Sequence, residues 1–222
     1  MDKRISLNQF AEYSTKKRDS SKLRIIRQQK NPDPLRLPWY QLAKARMKKS
    51  LKNKVDLVPI YDGIEILKKR NPEKKWQQID KNVSVEALEK YIGLEFPSIL
   101  KEDLEILRVE RSNCQIGGLN IYISPELIFR VKDENGFSTI SAVKIHCGKN
   151  NSFENKTAKL ASVILFNYLE TIAEPCDRVE PQNCYIIDVF GNRTVSAPAN
   201  IEEYIEIVEG LCIEIIHNWD AA

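Results

Sequence analysis

The sequence has only two histidines in 222 residues, His146 and His217, so a metal centre rich in imidazole is not expected. It contains no G-x-x-x-x-G-K-[ST], G-x-G-x-x-G, H-E-x-x-H or G-x-S-x-G. These absences argue against the phosphate-cradling loops, the helical zinc site and the strained nucleophile turn that such spacings build. Five cysteines, Cys114, Cys147, Cys176, Cys184 and Cys212, are scattered with no C-x-x-C pair and an odd count. Neither a disulfide framework nor a thiolate zinc site follows, and reduced, half-buried thiols are expected. Any metal would have to be a hard cation held by carboxylates. The longest nearly continuous apolar run, LASVILFNYL from Leu160 to Leu169, is too short for a bilayer and lacks the position and flanks of a signal peptide. A soluble cytoplasmic protein with no membrane partner is expected. There is no internal repeat and no low-complexity tract.

With 42% hydrophobic residues, the chain can bury a sizeable core as one large domain or as a domain with a helical appendage. The net charge of +3 conceals a segregation along the chain. Residues 1–54 hold 16 Lys and Arg against 4 Asp and Glu, or +12, which leaves 18 against 27, or −9, for the remainder. A basic segment on an acidic body suits a polyanion such as nucleic acid. It equally suits docking onto the protein's own acidic surface, or onto that of a second subunit or a protein partner.

Local signals place the elements. Ser6 caps a short helix carrying Leu7, Phe10 and Ala11, and Ser20 or Ser21 caps a second that carries Leu23, Ile25 and Ile26. The prolines of NPDPLRLP, Asn31 to Pro38, stop helical structure, and Pro38 suits the first turn of a third helix. There Tyr40, Ala43, Met47 and Leu51 form an apolar stripe and Lys44, Lys48 and Lys52 a basic one. With Arg24 and Arg27 of the second helix, these lysines are the nucleic-acid contacts expected from charge. Residues 55–83 read as a bridge with a short helix near Gly63–Arg70, which divides the chain into a basic helical region, 1–83, and a core, 84–222. Ser84 is expected to cap a helix through Leu88 and Tyr91, and Pro97 or Ser98 to open another through Leu107.

The hydrophobic period then changes. Leu119–Ser124, Leu127–Lys132 and Thr139–Cys147 read as three successive antiparallel strands, the last two joined by the turn Asp133 to Gly136. Asn155–Ile172 is apolar nearly all round and reads as a buried helix. Cys184–Phe190 follows as a buried strand with Thr194–Ala197 as a short partner, and Asn200 with Glu203 opens a final amphipathic helix that ends near Trp219. Alternation puts Leu127, Phe129 and Val131 on one face of their strand and Glu126, Ile128, Arg130 and Lys132 on the other. On the next strand Val143, Ile145 and Cys147 oppose Ala142, Lys144 and His146. The apolar sets are expected to pack on the buried helix, which leaves Glu126, Lys144 and His146 together on a polar face.

This order, helix, three-stranded meander, buried helix and strand, resembles the αβββαβ core of the PD-(D/E)xK nuclease superfamily, the restriction-endonuclease-like fold, over about Pro97 to Val195. The resemblance implies an α/β core with a mixed sheet, which follows the helical N-terminal region read above. It also implies divalent-metal-dependent cleavage of nucleic acid, with Mg²⁺ or Mn²⁺ held by carboxylates and a lysine that positions water. Pro125-Glu126 stands for the first acidic position and Ala142-Val143-Lys144 for the D/E-x-K, so an alanine replaces a metal-binding carboxylate. Either another acid, Asp133, Glu110, Asp188 or Glu105, takes its place, with Asp133 expected beside Glu126 on the metal, or the site no longer cuts. Lys144 and His146 complete the catalytic set, and Lys149 lies where a phosphate would meet the N-terminus of the buried helix. If the site is active, Glu126→Gln is expected to weaken Mg²⁺ or Mn²⁺ binding and Lys144→Ala to abolish cleavage, at little cost in stability. The bland alternatives are a solvated sheet-face lysine, a hydrogen-bonded structural histidine and a loop lysine. The rival function is a non-catalytic scaffold or binding module that uses the basic helices to hold a partner.

Overall fold

The computed structural model describes residues 3–32, 39–132 and 137–222. Strand β1 (Arg4–Ser6) runs directly into helix α1 (Leu7–Ser14), and Ser6 caps it by accepting from the Gln9 N–H, as the sequence predicts. Helix α2 (Asp19–Lys30) begins before Ser20 and has no side-chain cap. Helix α3 (Gln41–Lys52) follows Tyr40, whose φ of 60° turns the chain into it; Pro38 lies outside the described residues.

The expected bridge is two full helices, α4 (Val58–Lys69) and α5 (Lys75–Ile92), and Ser84 is buried in the middle of α5 instead of capping it. The largely polar first half of α5 shows no buried helical period, since its buried residues Ser84, Ala87, Leu88 and Tyr91 all fall in the second half. The division at 83/84 therefore falls inside a helix. The helix expected from Pro97 to Leu107 is a single 3₁₀ turn, Ser98–Lys101, followed by a short strand, β2 (Glu105–Ile106), because only Leu100 of the turn finds the core.

Two mixed sheets follow. Hairpin β3 (Asn113–Ile116) and β4 (Leu119–Tyr122) pairs antiparallel, and β1 adds to β4 in parallel, Ile5 opposite Ile121. The stretch LNIYIS thus does not join the expected meander. The larger sheet has the order β2-β5-β6-β7-β8, with β5 (Leu127–Lys132), β6 (Ser138–His146), β7 (Asp177–Asp188) and β8 (Arg193–Ser196). Strands β2, β5 and β6 form an antiparallel meander, helix α6 (Asn155–Glu170) crosses over, and β7 returns parallel to β6. The hairpin β3–β4 is inserted between the first two strands of this meander.

The larger sheet is buried on both faces, and the distribution corrects the expected packing. Leu127, Phe129, Val143, Ile145 and Cys147 do not meet α6; they pack with Met47, Leu51, Ile60, Leu88 and Tyr91 of α3, α4 and α5. It is Ile128, Ile140 and Ala142, with Cys184 and Ile186 of β7, that pack with Ala161, Ile164 and Leu165 of α6. The helices of the basic N-terminal half supply one whole layer, which is why β6 is buried from Ile140 to its end at His146. On the α6 side the layer is completed by α1, α2 and α7 (Ile201–Trp219), where Phe10, Tyr13, Ile25, Cys212, Ile215 and Trp219 share one core. At the start of α7 Asn200 Nδ2 donates to Glu203 Oε2 at 2.7 Å, but no side chain caps a main-chain N–H, so the expected capping-box pair meets only through its side chains. All five cysteines are free, and only Cys176 is exposed.

Candidate functional site

Glu126 lies one residue before β5, and its N–H donates to Val143 O at 2.9 Å, the last main-chain bond between β5 and β6. Beyond it the chain turns away at Ser124, whose φ is 49°. The N–H of Ile145 on β6 would then lack a strand partner, and Glu126 Oε2 accepts it at 2.6 Å. The Lys144 ammonium donates to Glu126 Oε1 at 3.0 Å, to Oε2 at 3.2 Å and to Ser124 O at 2.9 Å. An ammonium has three donors, so this one is fully committed. Lys144 is 7% exposed. Glu126 and Lys144 thus meet as the alternation implies, but as an enclosed pair that staples the frayed end of a sheet, and neither lines the polar cleft described below.

Ala142, with no exposure, shares this face of β6 and packs its methyl into the α6 core. A divalent cation here would find one carboxylate already neutralised by Lys144, and a methyl where a second oxygen is needed. Among the described residues no group of three His, Cys, Asp or Glu is placed to hold a metal ion. Asp133 lies outside the described residues. Glu105 pairs instead with Arg130, whose guanidinium also holds Asp177 in a bidentate contact of 2.7 and 2.8 Å. That contact, with the Ser138 hydroxyl, keeps the Asp177 carboxyl at about 2. This clamp ties β2, β5, β6 and β7 together, and it explains a charged side chain on a strand without invoking chemistry.

His146 ends β6, 3% exposed, its ring stacked on Phe153 with centroids 3.8 Å apart. Its Nε2 bonds to Asn151 O at 2.9 Å, which fixes the neutral tautomer with hydrogen on Nε2. Burial pushes its pKa down to about 4, and the charges of Lys44 and Lys144 act in the same direction. Gly148 is required here, since a Cβ would stand 2.5 Å from His146 Nε2. Asp188, in register with His146 on the neighbouring strand, has no exposure. Its Oδ2 accepts the Phe153 N–H at 2.6 Å, while burial raises its pKa and main-chain N–H groups partly offset the rise. Asp188 thus fastens the segment leading into α6 to the end of β7.

The expected nucleic-acid contacts separate. Arg24 and Arg27 are exposed on α2, Lys48 and Lys52 are exposed on α3, and part of the basic segment is consumed internally. Lys22 pairs with Glu214 at 2.6 Å, and Lys30 donates to the carbonyls of Trp219 and Ala222 at the end of α7. Self-docking thus accounts for some of the charge asymmetry. Lys149 pairs with Glu86 of α5.

Lys44, His146 and Lys149 do come together, in a cleft of about 620 Å³ between α1, α3, α5 and the loop from β6 to α6. Asn8, Trp39 and Ile79 also line it, and none of these was marked by spacing or charge. Trp39 beside Tyr40, just past the proline-rich stretch, was the available signal. No family model, curated protein or solved structure matches this chain.

Proposed function

We propose that this protein binds nucleic acid without cutting it, on a restriction-endonuclease-like core whose metal corner has become a structural ion pair. The fold supports the reading through its order: α5, the antiparallel meander β2-β5-β6, the crossover helix α6 and parallel β7 follow the αβββαβ sequence of that superfamily, with β3–β4 as an insertion. Glu126 just before β5 and Lys144 near the end of β6 support it as the acid and the lysine that the resemblance calls for. The observation that carries the conclusion is the saturation of Lys144, whose three acceptors leave no donor for an attacking water. Mg²⁺ or Mn²⁺ therefore has no assigned role. The exposed Arg24, Arg27, Lys48 and Lys52 supply the phosphate contacts, and the partner is nucleic acid in the cytoplasm. No described helix is long and apolar enough to cross a membrane.

A scaffold that holds a protein partner is the second reading, favoured by the exposure of Val58, Tyr61 and Ile66 on α4. One experiment separates these functions. The full chain is mixed with labelled single- and double-stranded DNA and RNA, with and without Mg²⁺ or Mn²⁺, over a range of salt. Salt-sensitive binding with no metal-dependent cleavage is expected. Cleavage lost in Glu126→Gln would restore the nuclease, and absence of binding to every nucleic acid at low salt would leave the scaffold.

A further inference from the structure

The cleft between α1, α3, α5 and the β6–α6 loop has a chemical character that its neighbours lack. Lys44 is half-buried in its wall and, among the described residues, its ammonium makes no hydrogen bond or ion pair. Two acceptors at the cleft are unmet as well: His146 Nδ1 and Asn8 Oδ1 are buried and have no partner among the described residues. With hydrogen on Nε2, the Nδ1 of His146 can only accept. Trp39, 38% exposed, and Ile79, 44% exposed, line the same cleft and leave apolar surface open to solvent. A bare phosphate would satisfy Lys44 but would bring two acceptors against more acceptors. A ligand that meets all these demands carries an anion, a flat ring and N–H or O–H donors.

We propose that this cleft receives one nucleotide, with the phosphate on Lys44 backed by Lys149, the base against Trp39 and Ile79, and a base or sugar donor directed to Asn8 and His146. A nucleotide within a single strand and a free nucleotide share this chemistry. In the first form the inference rests on the nucleic-acid reading above and specifies single strand over duplex, since a base must leave its stack to reach the tryptophan.

The test is calorimetric titration of the full chain with nucleoside monophosphates, with a short single-stranded oligonucleotide and with inorganic phosphate, repeated for Lys44→Glu, Lys44→Arg and Trp39→Leu. Thermal melts of each variant check the fold. Lys44→Glu and Trp39→Leu are each expected to weaken nucleotide binding about tenfold or more while Lys44→Arg retains it, because stacking on an exposed aromatic and a phosphate contact are each worth about that much. Inorganic phosphate is expected to compete poorly. Strand binding that is unchanged in folded Lys44→Glu and Trp39→Leu would overturn the cleft assignment and leave the nucleic-acid reading standing. Monophosphate binding without strand binding would do the reverse. Competition by inorganic phosphate equal to that of a nucleotide, or no binding of any nucleotide, would sink the proposal.

Discussion

Lys144 and Glu126 neutralise each other inside the protein: the ammonium stands 3.0 and 3.2 Å from the two carboxylate oxygens, and the side chains are 9% and 12% exposed. Pairing at this burial reverses the sequence-based expectation that either residue is replaced at little cost. Lys144→Met strands a carboxylate and Glu126→Gln strands an ammonium, so each is expected to cost about 3 kcal/mol. The double variant is expected to lose clearly less than the sum of the two. Urea unfolding of the four proteins measures this, and strictly additive losses would show that the charges do not interact.

His146 makes stability depend on pH. Its folded value of about 4 lies below the ordinary 6.5, so as pH falls the unfolded chain takes up a proton that the folded one refuses. The contribution is complete above about pH 6.5 and is lost progressively down to about 4, on the order of 3 kcal/mol in all. Melting temperatures across that window are expected to fall in the native chain and to flatten in His146→Gln. Asp177, held at about 2 against an ordinary 3.8 by Arg130, keeps its contribution through this window and gives it up only at lower pH. An equal slope in native protein and His146→Gln would refute the assignment.

Helix α7 is part of the core. Val208, Cys212 and Ile215 have no exposure, Trp219 has 4%, and Lys22 and Lys30 find their acceptors on it. Removing residues 200–222 is expected to abolish the cooperative thermal transition and expose a dye-binding apolar face. A cooperative melt at the native temperature would contradict this.

Basic residues are better tested by reversal than by deletion. A chain without residues 1–54 also loses β1, and with it the buried Phe10, Tyr13, Met47 and Leu51. Arg24→Glu with Arg27→Glu, and separately Lys48→Glu with Lys52→Glu, alter exposed positions only. The pair that meets phosphate is expected to weaken nucleic-acid binding steeply at low salt, and to reduce the slope of log affinity against log salt by about 0.9 for each phosphate no longer neutralised. Unchanged slopes in both pairs would remove the basic helices from the interface.

Much of the local structure was legible in the sequence. Ser6 and Asn200 mark helix starts, LIFRVK and TISAVKIH alternate as strands, and α6 is apolar nearly all round; each signal is carried by residues a few positions apart. The second half of α5 was visible, but its largely polar first half was not, and the helical spacing over Pro97 to Leu107 misled, because the chain makes a 3₁₀ turn and then a strand that pairs with β5. At the site, alternation anticipated the contact of Glu126 with Lys144, whereas His146 stacks on Phe153 at a separate cleft that neither of them lines.

What alternation does not carry is the identity of the layer that covers each face. Both faces of β6 meet helices distant in sequence, so the face that reads as polar is closed over by α6. Strand LNIY pairs with β1 at the beginning of the chain instead of with the meander, because a strand's edge accepts any partner that the fold brings alongside. The sequence by itself determined which residues are apolar or charged and where the strongest helix and strand signals lie, such as α6 and β5, since those preferences act between near neighbours. Only the tertiary structure decided that Lys144 spends its charge on Glu126 while Lys44 is left facing a cleft, because a partner is found by distance in space and not by spacing along the chain.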